Sequence, residues 1–287
     1  MRSHPVAATL ALALATSAVA AQTSVPLDDV LGKVGARVEE YFARAQRMVF
    51  VEKTTIFEVG SSMAPEGFGR VLESDLRVEW DPAADGPDGA EAKVVRELRK
   101  VNGRTPRVKD DRNCLDPNPI SPEPLGFLLP SQRADFTFKW IGRGKGKEQN
   151  AILVDYRARK TGPPEVKQPP DKREGCFSVS FPGGVQGRVW IDAETYEVLR
   201  VDERLNARMD FRIPDDQRRF GFADVLVLER HDTSIRYKPV AFHDPEETML
   251  LPESIDTLTV YRGAQSHRSR QVFSDYRRFV TGGRLVK

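Results

Sequence analysis

A single change of apolar period divides this chain. Over residues 27–45 the apolar side chains Leu27, Val30, Leu31, Val34, Val38, Tyr41, Phe42 and Ala45 recur every three or four positions, and Arg37, Glu39, Glu40 and Arg44 fall mostly elsewhere on the helical wheel. That spacing predicts one amphipathic helix. Ser24 is placed to cap it, and Asp28 and Asp29 lie where the helix dipole favours negative charge. From residue 48 the period becomes two: Phe50, Glu52, Thr54 and Ile56 on one face, Val49, Val51, Thr55 and Phe57 on the other. Strands are expected at 48–59, 70–80, 92–102, 136–141, 151–159, 188–192, 198–205, 220–237, 254–261 and 267–280. Turn signals separate them, among them Asp85-Gly86-Pro87-Asp88-Gly89, Asn102-Gly103, Pro182-Gly183-Gly184 and Arg262-Gly263. Helix and strand do not alternate, so a parallel βα architecture is excluded. The pattern predicts a mainly β fold, a curved antiparallel sheet with the helix of 27–45 against its concave side.

Within that frame, the segment 222–228 is apolar on both alternating faces and is expected to be covered twice. Two Pro-rich stretches, 116–130 and 161–175, read as excursions from one sheet because strand patterns resume after each. No composition shift marks a linker, and residues 21–287 read as a single domain.

The first 20 residues belong to a different problem. Arg2 is followed by an uncharged run from Val6 to Val19 rich in Ala, Leu, Val, Thr and Ser, and then by Ala18-Val19-Ala20, the small-x-small pattern of a signal peptidase site. The run is too short to span a bilayer comfortably. A cleaved signal peptide over 1–20 is expected, with a mature start at Ala21 or Gln22 and a periplasmic or secreted location. No later segment is apolar enough to cross a membrane as a helix. Export gives the two cysteines a meaning: Cys114 and Cys176, the only two, are expected to form a disulfide between the Pro-rich stretches.

Charge narrows the functional classes. Lys and Arg number 44 against 42 Asp and Glu, a net charge of +2, so no global field draws the chain to nucleic acid. The four histidines, His4, His231, His243 and His267, lack the spacing of a zinc site. No G-x-S-x-G elbow is present. Gly142-Arg143-Gly144-Lys145-Gly146-Lys147 lacks the Lys-Ser/Thr ending and the helix of a phosphate loop. No metal, cofactor or catalytic residue is assigned, and the chain reads as a non-enzyme. What remains is apolar surface: Phe136, Phe138 and Trp140 share one strand face, and Leu31 and Phe42 lie on the apolar stripe of the helix. A curved sheet roofed by a helix can enclose an apolar pocket, and these five residues are the candidates to line it.

The opening SVPLDDVLGKVGARVEEYFARAQRMVFVEKTTIF, the segments RVLESDLRVEW and VVRELRKVNGRTPRVKDDRN, and the ending MLLPESIDTLTVYRGAQSHRSRQVFSDYRRFVTGGRL resemble a group of uncharacterised secreted bacterial proteins. The segment GRVWIDAETYEVLRVDERL resembles the strand-turn-strand of the LolA/LppX-like lipoprotein carriers. The resemblance implies a half-barrel over an apolar cavity, and a lipid or a lipoprotein acyl chain as the partner. It implies no catalytic residue. Three functions are therefore carried forward: non-covalent binding or transfer of an apolar ligand, a structural or partner-binding envelope protein with a filled core, and a hydrolase of unspecified type.

Overall fold

The computed structural model describes residues 26–45, 48–79, 93–107, 110, 124–145, 148–167, 178–213, 224–243, 246–280 and 284–286. Helix α1 (Leu27–Ala45) has the bounds its periodicity sets, with Asp28 and Asp29 in the first turn and Arg44 in the last. Strands follow in chain order: β1 (Met48–Val59), β2 (Pro65–Glu79), β3 (Lys93–Val101), β4 (Phe136–Arg143) and β5 (Ala151–Ala158). After these come the short β6 (Glu165–Lys167) and β7 (Ser178–Ser180), then β8 (Val185–Asp192), β9 (Val198–Leu205) and β10 (Met209–Arg212). The last four are β11 (Val225–His243), β12 (Glu246–Arg262), β13 (His267–Val280) and β14 (Arg284–Val286).

Twelve strands form one antiparallel sheet in the order β3-β2-β1-β13-β12-β11-β9-β8-β5-β4, with β10 beside β11 and β14 beside β13. The remaining two, β6 and β7, pair with each other. The sheet is curved and does not close, because its end strands β3 and β4 do not meet. Hairpins account for most of the order. Three junctions are not hairpins: β11 lies beside β9 and β8 beside β5, and β13 returns from the C-terminal end of the chain to pair with β1 on one side while its hairpin partner β12 lies on the other. That insertion makes the N-terminal hairpin and the C-terminal meander one sheet.

α1 packs on one face of this sheet. Val30, Leu31, Val34, Val38 and Phe42 are buried against Ile152, Val154, Val189, Ile191, Val201, Ile235 and Phe242, each such side chain contributing roughly 1.5–3 kcal/mol. A short 3-10 turn (Gly126–Leu128) closes the other flank, with Leu125, Phe127, Leu128 and Leu129 all buried. The helix approaches this turn so closely at Gly35 that a Cβ there would sit 2.9 Å from the Leu128 carbonyl oxygen. The second Pro-rich stretch is described only in part, but the first thus ends as a structural wedge beside the helix.

A second, smaller cluster gathers Phe211, Ile213, Leu226 and Leu228. Within the described part of 222–228, Leu226 and Leu228 are buried but Val225 is exposed. This strand is covered on one side rather than two, because β10 pairs at its edge and leaves the alternate residues facing out.

Strand lengths differ from expectation at the prolines. β11 runs six residues past 237, through Pro239, and β12 starts eight residues before 254 and contains Pro252. A proline ends a central strand because it has no N–H for the ladder. Here β9 pairs β11 only as far as Arg236, and β13 pairs β12 only from Ser254. Each proline therefore lies where one flank of its strand is unpaired.

Candidate functional site

Cross-strand partners share a face of a sheet, so the register fixes what lies opposite α1. One row on that outer face runs Lys139, Asp155, Arg188, Asp202, Ser234, Asp256 across six neighbouring strands. The next runs Thr137, Arg157, Gln186, Arg204, Asp232, Leu258, Arg268. A sheet of this size twists, and its outer face is hollowed by a cleft of about 640 Å³ lined by these two rows together with Trp190 and Arg230.

The centre of the first row, Asp155, Arg188, Asp202 and Ser234, is held by internal bonds. Arg188 donates from Nε to Asp155 Oδ1 at 2.5 Å and from Nη2 to Oδ2 at 3.0 Å. The Asp155 carboxylate raises the Arg188 pKa further, so its charge is permanent. Asp202 accepts from Arg200 Nε and Nη2 at 2.8 and 2.6 Å and from the Ser234 hydroxyl at 2.7 Å. Arg200 also lies over the Trp190 ring, 4.6 Å from its centroid. Beyond it, Arg230 pairs with Asp232. These half-exposed pairs add little stability each. Their effect is geometric: a fork-to-carboxylate bond fixes two side chains in one plane.

The second row is different at its centre. Arg157 and Arg204 are exposed, Gln186 between them is half-buried, and among the described residues none of the three has a side-chain hydrogen-bond or ion-pair partner. Lys139, at the adjoining edge strand in the first row, is also exposed and has no side-chain partner among the described residues. The carboxylates of the cleft are largely occupied while several of its cations are not, so its available charge is positive.

On the helix side of the same strands, Tyr156 donates to Glu203 Oε1 at 2.5 Å across Gly187, where a Cβ would lie 2.5 Å from the Tyr156 ring. Phe127 stacks on Tyr156 at 3.9 Å. Burial and the neighbouring Glu203 carboxylate push the Tyr156 phenol well above its ordinary range. This contact fixes β5, β8 and β9 relative to one another and hence the spacing of the outer rows.

The residues expected to line a pocket under the helix are placed as follows. Leu31 and Phe42 are buried in the main core, Phe42 completely. Phe136, Phe138 and Trp140 are half-buried on the helix side and pack against that core, with Phe136 and Phe138 around Phe127. Beside the helix a recess of about 50 Å³ is bordered by Val38, Tyr41, Tyr237 and Met249. Phe138 alone of the five also borders the outer cleft. Apart from Phe138, the expected residues and the cleft lie on opposite faces of the sheet. Cys114 and Cys176 lie outside the described residues, as does the segment 1–20.

Sequence reading missed the cleft. The signal was present as charges at period two, in Asp155 and Arg157, Arg200, Asp202 and Arg204, and Arg230 and Asp232, but alternation tells which face a residue occupies and not which strand lies beside it.

No protein-family model matches the chain. No curated protein matches it either. Among solved structures it is similar to a DUF1329 family protein from Desulfovibrio piger ATCC 29098, at 9% identity over 90% of this chain and 95% of that one, with a TM-score of 0.44. It is also similar to a putative outer membrane lipoprotein-sorting protein domain from Vibrio parahaemolyticus, at 12% identity over 86% and 93% of the two chains, TM-score 0.34.

Proposed function

We propose that this protein is an exported, non-covalent binding or carrier protein whose ligand, an amphiphile of the lipid class, sits in the outer cleft. The observation that carries the reading is the cleft itself: about 640 Å³, a volume in the range of small-ligand sites. Its lining combines the apolar surfaces of Trp190, Leu258 and Phe138 with fixed charges. Such a lining suits a molecule with an apolar and a polar end. The acidic side chains Asp155, Asp202 and Asp232 are held by guanidinium groups, an arrangement that supports positioning rather than proton transfer. The N-terminal segment supports export. Non-covalent binding is accordingly favoured over the hydrolase reading.

Native mass spectrometry of protein purified from the cell envelope tests this. A bound mass in the lipid range is expected, and it should vanish in Ser234→Trp, which places an indole in the middle of the cleft. A protein that carries no such mass, or a Ser234→Trp protein that retains it while keeping wild-type stability, would overturn the reading.

A further inference from the structure

We infer that Arg157, Gln186 and Arg204 form an anion-binding subsite within the cleft, one that takes a phosphate group; the inference rests on the cleft being the ligand site. The argument is the contrast between two adjacent rows of one sheet. In the first, Asp155, Arg188, Asp202 and Ser234 satisfy one another at 2.5–3.0 Å. In the second, the three side chains directly alongside have no partner among the described residues. Their order is fixed by register: Arg157 opposite Gln186, and Gln186 opposite Arg204.

Neighbouring strands lie about 4.8 Å apart, so the two arginines stand about 10 Å apart at their Cα atoms. Both guanidinium groups can therefore reach one anion set over Gln186, whose amide N–H adds a donor. A guanidinium presents paired N–H donors in a plane, and a phosphate offers oxygens enough for two such forks. The carboxylates that could have quenched these arginines are engaged elsewhere: Asp155 with Arg188, Asp202 with Arg200 and Ser234, Asp232 with Arg230. The locked row therefore keeps the open row cationic. A phosphate over Gln186 would leave the rest of the ligand to run along the cleft toward Leu258 or Trp190.

The chemistry is shared by a phospholipid headgroup and by free phosphate, and calorimetric titration of the full-length mature protein separates them. Three probes are used: a short-chain phosphatidic acid below its micelle concentration, inorganic phosphate, and the uncharged amphiphile decyl maltoside. The variant is Arg157→Gln/Arg204→Gln, at exposed positions outside the core. Arg99→Gln/Lys100→Gln on β3 removes the same charge far from the cleft. Two lost charge-assisted contacts should weaken phosphatidic acid by about 100-fold, with the β3 variant unchanged and wild-type binding falling as salt rises. Tight phosphatidic acid with weak phosphate assigns the group to a lipid headgroup; equal affinities assign it to a free anion; both uphold the subsite. Phosphatidic acid that binds equally well to wild type and to the double arginine variant overturns it. If decyl maltoside binds and both phosphate probes do not, the subsite fails while the cleft reading stands. If no probe binds, both fail.

Discussion

Truncating Phe42 to Ala asks whether the space under the helix is filled or is a site. Phe42 is fully buried, on the face of α1 that meets the sheet, within a cluster that includes Phe242, Ile235 and Phe273. In a close-packed interior the change loses the transfer free energy of the ring and leaves a void that the surroundings only partly fill. The two together cost about 3–5 kcal/mol. For a chain of this size each kcal/mol lowers the melting temperature by roughly 2–4 °C, so a fall of about 6 °C or more is expected. The assay is urea unfolding followed by circular dichroism, with the slope of free energy against denaturant checked for constancy so that only stability has changed. The void should be apolar and dry, and benzene should recover part of the loss, as engineered cavities lined by Leu, Ile and Phe do. A cost below about 1 kcal/mol would mean that Phe42 borders open space already. The packing argument would then fail, and the acyl pocket expected under the helix would return as the better site.

Three further outcomes follow from the structure. Glu52, buried at 1% exposure, accepts from Arg96 Nε at 2.9 Å and from the Gln271 amide; Glu52→Ala removes the acceptor of both bonds and should cost about 3 kcal/mol, measured by the same urea titration, whereas an unchanged midpoint would show that the pair contributes nothing. His231 and His267 flank Thr259 on the helix side of the sheet, and burial, with His231 as a second cause, holds the His267 pKa down at about 4, while burial alone lowers that of His231 despite the opposing effect of Asp232. Because the folded pKa lies below the unfolded one, the unfolded chain binds more protons between about pH 6.5 and 4, so stability is complete above that window and falls as pH drops through it; His267→Asn should flatten the fall, and an identical pH profile would refute the assignment. Cys114 and Cys176 should appear as one cross-linked peptide in non-reducing mapping of envelope-purified protein that begins at Ala21 or Gln22, and labelling of both thiols in unreduced, denatured material would show that the bridge is absent.

The sequence alone determined the elements. The period of 3.6 over 27–45 and the period of two over 48–59, 198–205 and 267–280 give the observed bounds of α1, β1, β9 and β13, because amphipathic periodicity is a local property that each segment carries by itself. An antiparallel sheet with one helix on a face followed from those elements, since a strand or helix with one apolar face must bury it on another. Strands β11 and β12 run beyond the expected limits at 237 and 254, through Pro239 and Pro252, because how far a strand extends depends on its neighbour, which no residue within the segment records. Only the tertiary structure decided the order of the strands, with β13 between β1 and β12 and β5 beside β8. That order sets Arg157, Gln186 and Arg204 side by side although they are 29 and 18 residues apart in sequence. It also placed the cleft on the face opposite the helix. Pairing is set by non-local hydrogen bonds and by the burial of the sheet as a whole, so the charged rows of the cleft exist only once the strands have been laid in register.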